Sequence, residues 1–399
     1  MRREVTRKVI LVLCSLFIIS LFSISVFSIE EFSKVKLNIS GINELVAHPS
    51  NAGEFLVASV NGTFRTINYG QNWIKVNVPA QPNKVAFASN LIAITTSDPR
   101  AVLAISNDNG RTWKSFNQEV FISTLNLQLR DPNETLRLKG IAIDSANKNI
   151  IYVGSVQHSA GIKAIVPHLF KSIDGGITWN QSDSGFYYGR TSVNSILIDP
   201  FNSNNIYIAT NEKGAFQGEG LYSSSNEGIN WGRVGKKSID KDVYEVVLAN
   251  NDYVLAATKG GLYKRKIFDS FWSNAFFEVT SAYDLAKDKN NNIYAITQQG
   301  LYLNDGFLEN WTKISNISNE VLNNVAVDSS GAVIVSDAKD NLFISIPKEI
   351  VISEKSGAVT SEEKIDEDKI LETIPQKAKK VVKEGIISKI KKFFEKIFE

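Results

Sequence analysis

Between Leu45 and Leu342 the chain is written in short apolar, β-branched runs cut by polar turns, the pattern of strands and their connections. The stretch "LVAHPSNAGEFLVASVNGTFRT" (45–66) reads as a strand, a turn at His48-Pro49, a second strand, a turn at Asn61-Gly62 and a third strand. "GIAIDSANKNIIYVGS" (140–155) and "SILIDPFNSNNIYIAT" (195–210) restate its first half. The third strand returns at 62–64, 168–170, 220–222, 261–263, 300–302 and 341–343. A tryptophan then leads into a fourth strand, as in "WIKV" and "WKSF". The tryptophans stand at 73, 113, 179, 231, 272 and 311, spaced by 40, 66, 52, 41 and 39 residues. A period of about 40 residues built of short strands marks β-propeller blades, and the longer intervals are units that carry insertions.

Units begin near Leu45, Val85, Gly140, Val193, Val243, Ala282 and Leu322. They predict an all-β, seven-bladed β-propeller of four-stranded antiparallel blades, with a six-bladed ring as the alternative. The seventh unit ends at "NLFISIP" with neither tryptophan nor fourth strand, while "SKVKLNIS" (33–40) precedes the first unit as a spare strand. That strand is expected to complete the last blade and close the ring, which removes the exposed edges of an open sheet.

Each tryptophan closes a polar, glycine-bearing phrase. Ser172, Asp174, Gly176, Thr178 and Trp179 form "SIDGGITW", and Ser106, Asp108, Gly110, Thr112 and Trp113 form "SNDNGRTW". Asn68, Gly70 and Trp73, and Asn226, Gly228 and Trp231, repeat the phrase with asparagine for aspartate. The units ending at Trp272 and Trp311 keep little beyond the aromatic. This phrase resembles the Asp-box, or BNR, repeat, S-x-D-x-G-x-T-W, and the resemblance spans roughly residues 33–347. Physically, Asp, Asn, Ser and Thr side chains bond backbone amides in such a turn, glycine supplies unusual dihedrals, and the indole buries a large surface. These aspartates are therefore turn-makers rather than catalytic acids or calcium ligands. The resemblance implies that the turn joins third to fourth strand, away from the ligand face. It extends to sialidases, xyloglucan-type glycosidases, sortilin-like receptors and photosystem II assembly factors, so it speaks for fold and not for one activity.

Four lengthened segments fall on the face opposite those turns: 156–167 and 211–220 between second and third strands, and 117–138 and 181–192 between blades. Function concentrates on loops held by a rigid scaffold. Within them "FYYGR" places Phe186 beside Tyr187, Tyr188 and Arg190, residue types enriched at binding hot spots. Arg130, Arg137 and Lys163 add positive charge. Asp183 and Glu219 are a conceivable carboxylate pair, and no more than that, for glycoside hydrolysis, which needs two such groups about 5–10 Å apart. The arginine cluster and start motif of a sialidase are lacking, as is the cysteine-rich module of a sortilin. His48, His158 and His168 are too scattered for a metal site, and no phosphate loop or nucleophile elbow occurs. No cofactor is implied. In organisation the chain is most similar to the photosystem II stability/assembly factor-like propellers, a likeness of architecture with no sign of photosynthesis.

Composition changes the picture mainly at the ends. The single cysteine, Cys14, leaves the propeller without disulfides, and a net charge of +2 offers no case for nucleic acid. Residues 9–27 are uncharged and come after Arg2, Arg3, Arg7 and Lys8, the arrangement of a signal peptide or membrane anchor within 1–28 that sends the propeller across the membrane. After Pro347 comes a charged linker (348–380), then "VVKEGIISKIKKFFEKIFE" (381–399). There Ile386, Ile390, Phe393 and Ile397 form an apolar stripe opposed by Lys389, Lys391, Lys392 and Lys396, a basic amphipathic helix suited to a membrane surface or a partner's groove. The reading is an exported propeller with a protein or glycan partner on the insertion-bearing face. Its function is a protein-binding or assembly scaffold, with a carbohydrate-active propeller as the alternative.

Overall fold

The second strand of each repeat explains the architecture, because it is apolar over most of its length and largely buried on both faces. Phe55–Ser59 (β3), Leu91–Thr96 (β7), Ile293–Thr297 (β23) and Val333–Asp337 (β27) are buried at every residue. A strand covered on both sides reads as a continuous apolar run, whereas a half-solvated one alternates. The computed structural model describes residues 31–124, 135–156, 168–186, 191–212, 220–234, 242–250, 252–267, 269, 271–314, 317–318 and 320–347.

Its strands form antiparallel sheets, each set running from an inner first strand to a short outer fourth. The first set is Ile42–Ala47 (β2), β3, Gly62–Thr66 (β4) and Ile74–Val76 (β5). The second is Pro82–Ala88 (β6), β7, Leu103–Ser106 (β8) and Lys114–Phe116 (β9). An eight-stranded sheet joins the next two sets through the Val156–Ser192 pairing. One is Arg137–Ile143 (β10), Ile151–Val156 (β11), Leu169–Ser172 (β12) and Asn180–Gln181 (β13); the other is Thr191–Ile198 (β14), Ile206–Glu212 (β15), Leu221–Ser224 (β16) and Gly232–Arg233 (β17). The fifth set is Val243–Ala249 (β18), Tyr253–Thr258 (β19), Gly261–Lys266 (β20) and Ser273–Phe276 (β21). The sixth is Ala282–Lys287 (β22), β23, Gly300–Asn304 (β24) and Thr312–Ile314 (β25). The last is Leu322–Val327 (β26), β27 and Leu342–Ser345 (β28), completed by Ser33–Lys34 (β1) from the other end of the described chain.

That last pairing is antiparallel, Ser33 opposite Ile344 and Lys34 opposite Phe343. Val35 extends it by donating its amide to the Leu342 carbonyl at 2.8 Å. Asp340 adds a second clasp, accepting the amides of Gly41 and Ile42 at 2.9 Å each. The first strands touch in sequence, β2 with β6, β6 with β10, β10 with β14, β14 with β18, β18 with β22, β22 with β26, and β26 with β2. Buried apolar side chains obey the same plan. Each hydrophobic cluster draws on adjacent sets, for example Leu103, Ile105 and Phe116 against Phe170 and Trp179, or Val35, Leu45 and Phe55 against Ile334 and Leu342. Full burial of one such side chain contributes about 1.5–3 kcal/mol, so the sets hold one another.

The 117–138 segment, expected to be an open insertion, begins as a helix, Gln118–Thr124 (α1). Its Phe121 is fully buried, 5.0 Å from the Phe170 ring and 5.3 Å from Trp179. The start of this link is therefore core, wedged between the second and third sets, and is not a presented loop. The segments 1–28, 348–380 and 381–399 lie outside the described residues. Among the described residues no helix is long and apolar enough to cross a membrane.

Candidate functional site

The repeated phrase builds a saturated turn between third and fourth strands. The Ser172 hydroxyl donates to Asp174 Oδ1 at 2.8 Å and accepts the Gly176 amide at 2.8 Å. Asp174 also accepts the amides of Ile177 and Thr178 and the Thr178 hydroxyl, at 3.0, 2.9 and 2.6 Å. Asp108 does the same with Ser106, Arg111 and Thr112. Hydrogen bonds, led by those from Thr112 and Thr178, hold both carboxyls down at about 2. Asn68 and Asn226 reproduce the amide bond to the fourth residue onward, reaching Asn72 and Asn230 at 3.0 Å each. In the unit ending at Trp311, Asn304 takes the serine's place and accepts the amides of Gly306 and Leu308 at 2.8 and 2.9 Å. The indoles serve the same end: those of Trp231, Trp272 and Trp311 donate to Ser182, Val234 and Ala275 carbonyls of the preceding set. The Asp108 and Asp174 carboxyls are thus engaged by the fold as turn-makers.

Of the residues expected on the insertion-bearing face, Arg130, Lys163, Tyr187, Tyr188, Arg190 and Glu219 lie outside the described residues. Phe186 and Asp183 lie inside. Phe186 is buried against the Tyr222 ring at 4.4 Å, a packing role. Asp183 is 3% exposed and fully engaged, with His168 Nδ1 and Gln181 Nε2 each 2.7 Å from its oxygens. His168 is itself buried, and its backbone amide donates to the Ser155 hydroxyl at 2.7 Å. A carboxylate held this way secures the end of β13.

The first strands carry a feature that the strand pattern alone does not single out. Each one slips register near its start: at Ile42/Glu44, Pro82/Lys84, Leu138/Gly140, Val193/Ser195, Val243/Glu245, Ala282/Asp284 and Leu322/Asn324. A β-bulge re-aims side chains. Here the bulges gather polar groups around a cavity of about 240 Å³. Lys84 and Lys139 line it from the second and third sets, and Tyr244, Glu245, Tyr283 and Asp284 from the fifth and sixth. Asparagines 43, 194, 323 and 324 fill the arcs between. Because the links between sets enter the first strands at these bulges, the cavity lies toward the insertion-bearing end.

Bonds within this ring run from set to set. Lys84 ion-pairs with Glu44. Lys139 Nζ donates to Asn194 Oδ1 at 2.8 Å, and Asn194 donates to the Val243 carbonyl at 2.7 Å. The Ser195 hydroxyl donates to Glu245, and Asp284 accepts the Val325 amide at 2.8 Å. Burial raises Glu44 to about 7 although Lys84 sits beside it. Burial likewise raises Glu245, and burial together with neighbouring Glu245 lifts Asp284 well above the carboxylate range. Burial opposes the charge on Lys84, but Glu44, Glu245 and Asp284 outweigh it and hold the ammonium above its ordinary value. Three carboxyls thus face two lysines, and burial favours the protonated form of the acids.

Fold and ring together define a β-propeller with a polar inner cavity. No protein-family model and no curated protein matches the sequence. Among solved structures, the chain is similar to YCF48 from Cyanidioschyzon merolae, with TM-score 0.56 and 13% identity over 79% of this chain and 99% of that one. A structure of YCF48 bound to D1 peptide matches at TM-score 0.56 and 14% identity, over 80% and 97%. The GH74 xyloglucanase of Xanthomonas campestris matches at TM-score 0.59 and 15% identity, over 78% of this chain and 53% of the enzyme. The extracellular domain of a one-component system of B. thetaiotaomicron matches at 0.53 and 13%, over 79% and 40%. At such identities the likeness is one of fold alone.

Proposed function

We propose that the chain is an exported, seven-bladed propeller of the Asp-box kind that serves as a protein-binding or assembly scaffold. Residues 1–28 anchor or export it, 348–380 are a tether, and 381–399 form a basic amphipathic helix for the membrane or a partner. The observation that carries this reading is length. The chain matches YCF48 over 99% of that protein, which has been solved with a peptide bound, but only 53% of the xyloglucanase. Arg130, Lys163, Tyr187, Tyr188 and Arg190 are its contact residues on the insertion-bearing face. Asp183 supports the choice, since a buried, doubly bonded carboxylate is a poor acid or nucleophile for a glycosidic bond.

The test is site-specific photocrosslinking in membranes, with the probe at position 188 or at the exposed Ile177 of an Asp-box turn. Discrete protein adducts from 188 and none from 177 are expected. Equal labelling at both positions refutes a partner face. The second reading rests on the xyloglucanase match, whose TM-score of 0.59 exceeds the 0.56 of YCF48. Reducing-end release from a polysaccharide panel, abolished by Glu219→Gln, would establish a glycosidase in place of a scaffold.

A further inference from the structure

We propose that the inner cavity is a binding site for a small zwitterion, a molecule of amino-acid size that carries an ammonium and a carboxylate group. The cavity is polarised. Lys84 and Lys139 come from neighbouring strands β6 and β10, while Glu245 and Asp284 come from neighbouring strands β18 and β22. Asparagine-bearing strands separate the two pairs, β14 on one side and β26 with β2 on the other. All four line the one space. The cavity therefore has a lysine-bearing wall, where Glu44 of β2 pairs with Lys84, and an acidic wall that holds no lysine.

It also has room. A volume of about 240 Å³ equals roughly eight waters at about 30 Å³ each, space for a free amino acid. The two walls then select the ligand. An anion entering alone meets Glu245 and Asp284, and a cation entering alone meets Lys84 and Lys139; a molecule with both groups opposes neither wall. Among the described residues no three His, Cys, Asp or Glu side chains converge as metal ligands, which turns the choice toward an organic ammonium. Tyr244 and Tyr283 stand on the acidic side of the cavity. Tyrosine beside a carboxylate suits an ammonium group, through the ring and through the hydroxyl oxygen.

The experiment is calorimetric titration of the full chain at about pH 7 with glycine, β-alanine, 4-aminobutyrate and lysine, against sodium acetate and methylammonium chloride. At least one zwitterion is expected to bind about tenfold or more tightly than either control, a gap of about 1.4 kcal/mol. Lys139→Met and Asp284→Asn should each weaken binding about tenfold, and Lys139→Arg, which keeps the charge, should weaken it less. The panel on the unaltered chain decides the matter even where a variant fails to fold. Absence of binding by any zwitterion overturns the proposal, as does equal binding of acetate or methylammonium, or undiminished binding by folded variants.

Discussion

Replacing Glu44 with glutamine should stabilise the protein at alkaline pH, although it removes an ion pair. Glu44 touches Lys84, and breaking a buried pair ordinarily costs about 3–5 kcal/mol because the partner charge is left uncompensated. Lys84 is not left alone here, since Glu245 and Asp284 also hold its charge. The opposing effect is the burial that raises the Glu44 carboxyl from 4.5 to about 7. Below 4.5 the group is protonated in folded and unfolded chains and carries no penalty. As the pH rises from there through 7, the folded state holds a proton that the unfolded chain has lost, and stability falls. At about 1.36 kcal/mol per pH unit, the full penalty is about 3 kcal/mol. Glutamine mimics the protonated acid, so Glu44→Gln should match the parent at about pH 5 and exceed it by up to about 3 kcal/mol at about pH 8. With a urea slope of about 3 kcal/mol/M, that is a midpoint gain of about 1 M. A variant less stable than the parent by the same amount at both pH values would refute the reasoning and make the pair a net stabiliser.

The turns and the ring closure can be tested by stability as well. Gly176 has φ +85°, and a Cβ there would collide with Ile105 of the preceding set, so Gly176→Ala should cost about 2–4 kcal/mol in urea unfolding. A chain beginning at Gly41 loses the buried Val35 and Ile39 and bares the edge of β28. It should lose about 3–6 kcal/mol and self-associate in light scattering at concentrations where the parent is monodisperse.

What is legible in the sequence is whatever repeats. The strand runs, the turn phrase and the spare strand at 33–40 recur or are missing at a fixed period, and the β1–β28 pairing is where that arithmetic puts it. Asn304 shows the limit of reading by residue identity. Its amide performs the serine's bond in a unit whose letters have drifted from the phrase, because the turn requires an acceptor at that place and not one amino acid. Helix α1 is hidden for a different reason. Seven residues with one deeply buried aromatic carry too little periodicity to stand out from a loop, and only the gap between Phe170 and Trp179 gives Phe121 its meaning.

The inner ring is concealed by its own regularity. A charged residue near the start of "INELVA", "PNKVAFA", "VYEVVLA" or "AYDLAK" reads as an imperfection in an apolar strand. Aligned on the tryptophans they fall in two pairs, Glu44 and Lys84 each 29 residues before Trp73 and Trp113, and Glu245 and Asp284 each 27 before Trp272 and Trp311, and all four stand at the bulge of a first strand. A polar group at one fixed depth of an innermost strand cannot be serving its own sheet, where the cost of burying it would go uncompensated. Only closure of the sheets into a ring brings these groups within reach of one another, through the bulges that turn them inward. Their pattern is thus a property of the assembled propeller, and the uneven distribution of lysines and acids around it is what distinguishes a ligand cavity from a simple polar seam.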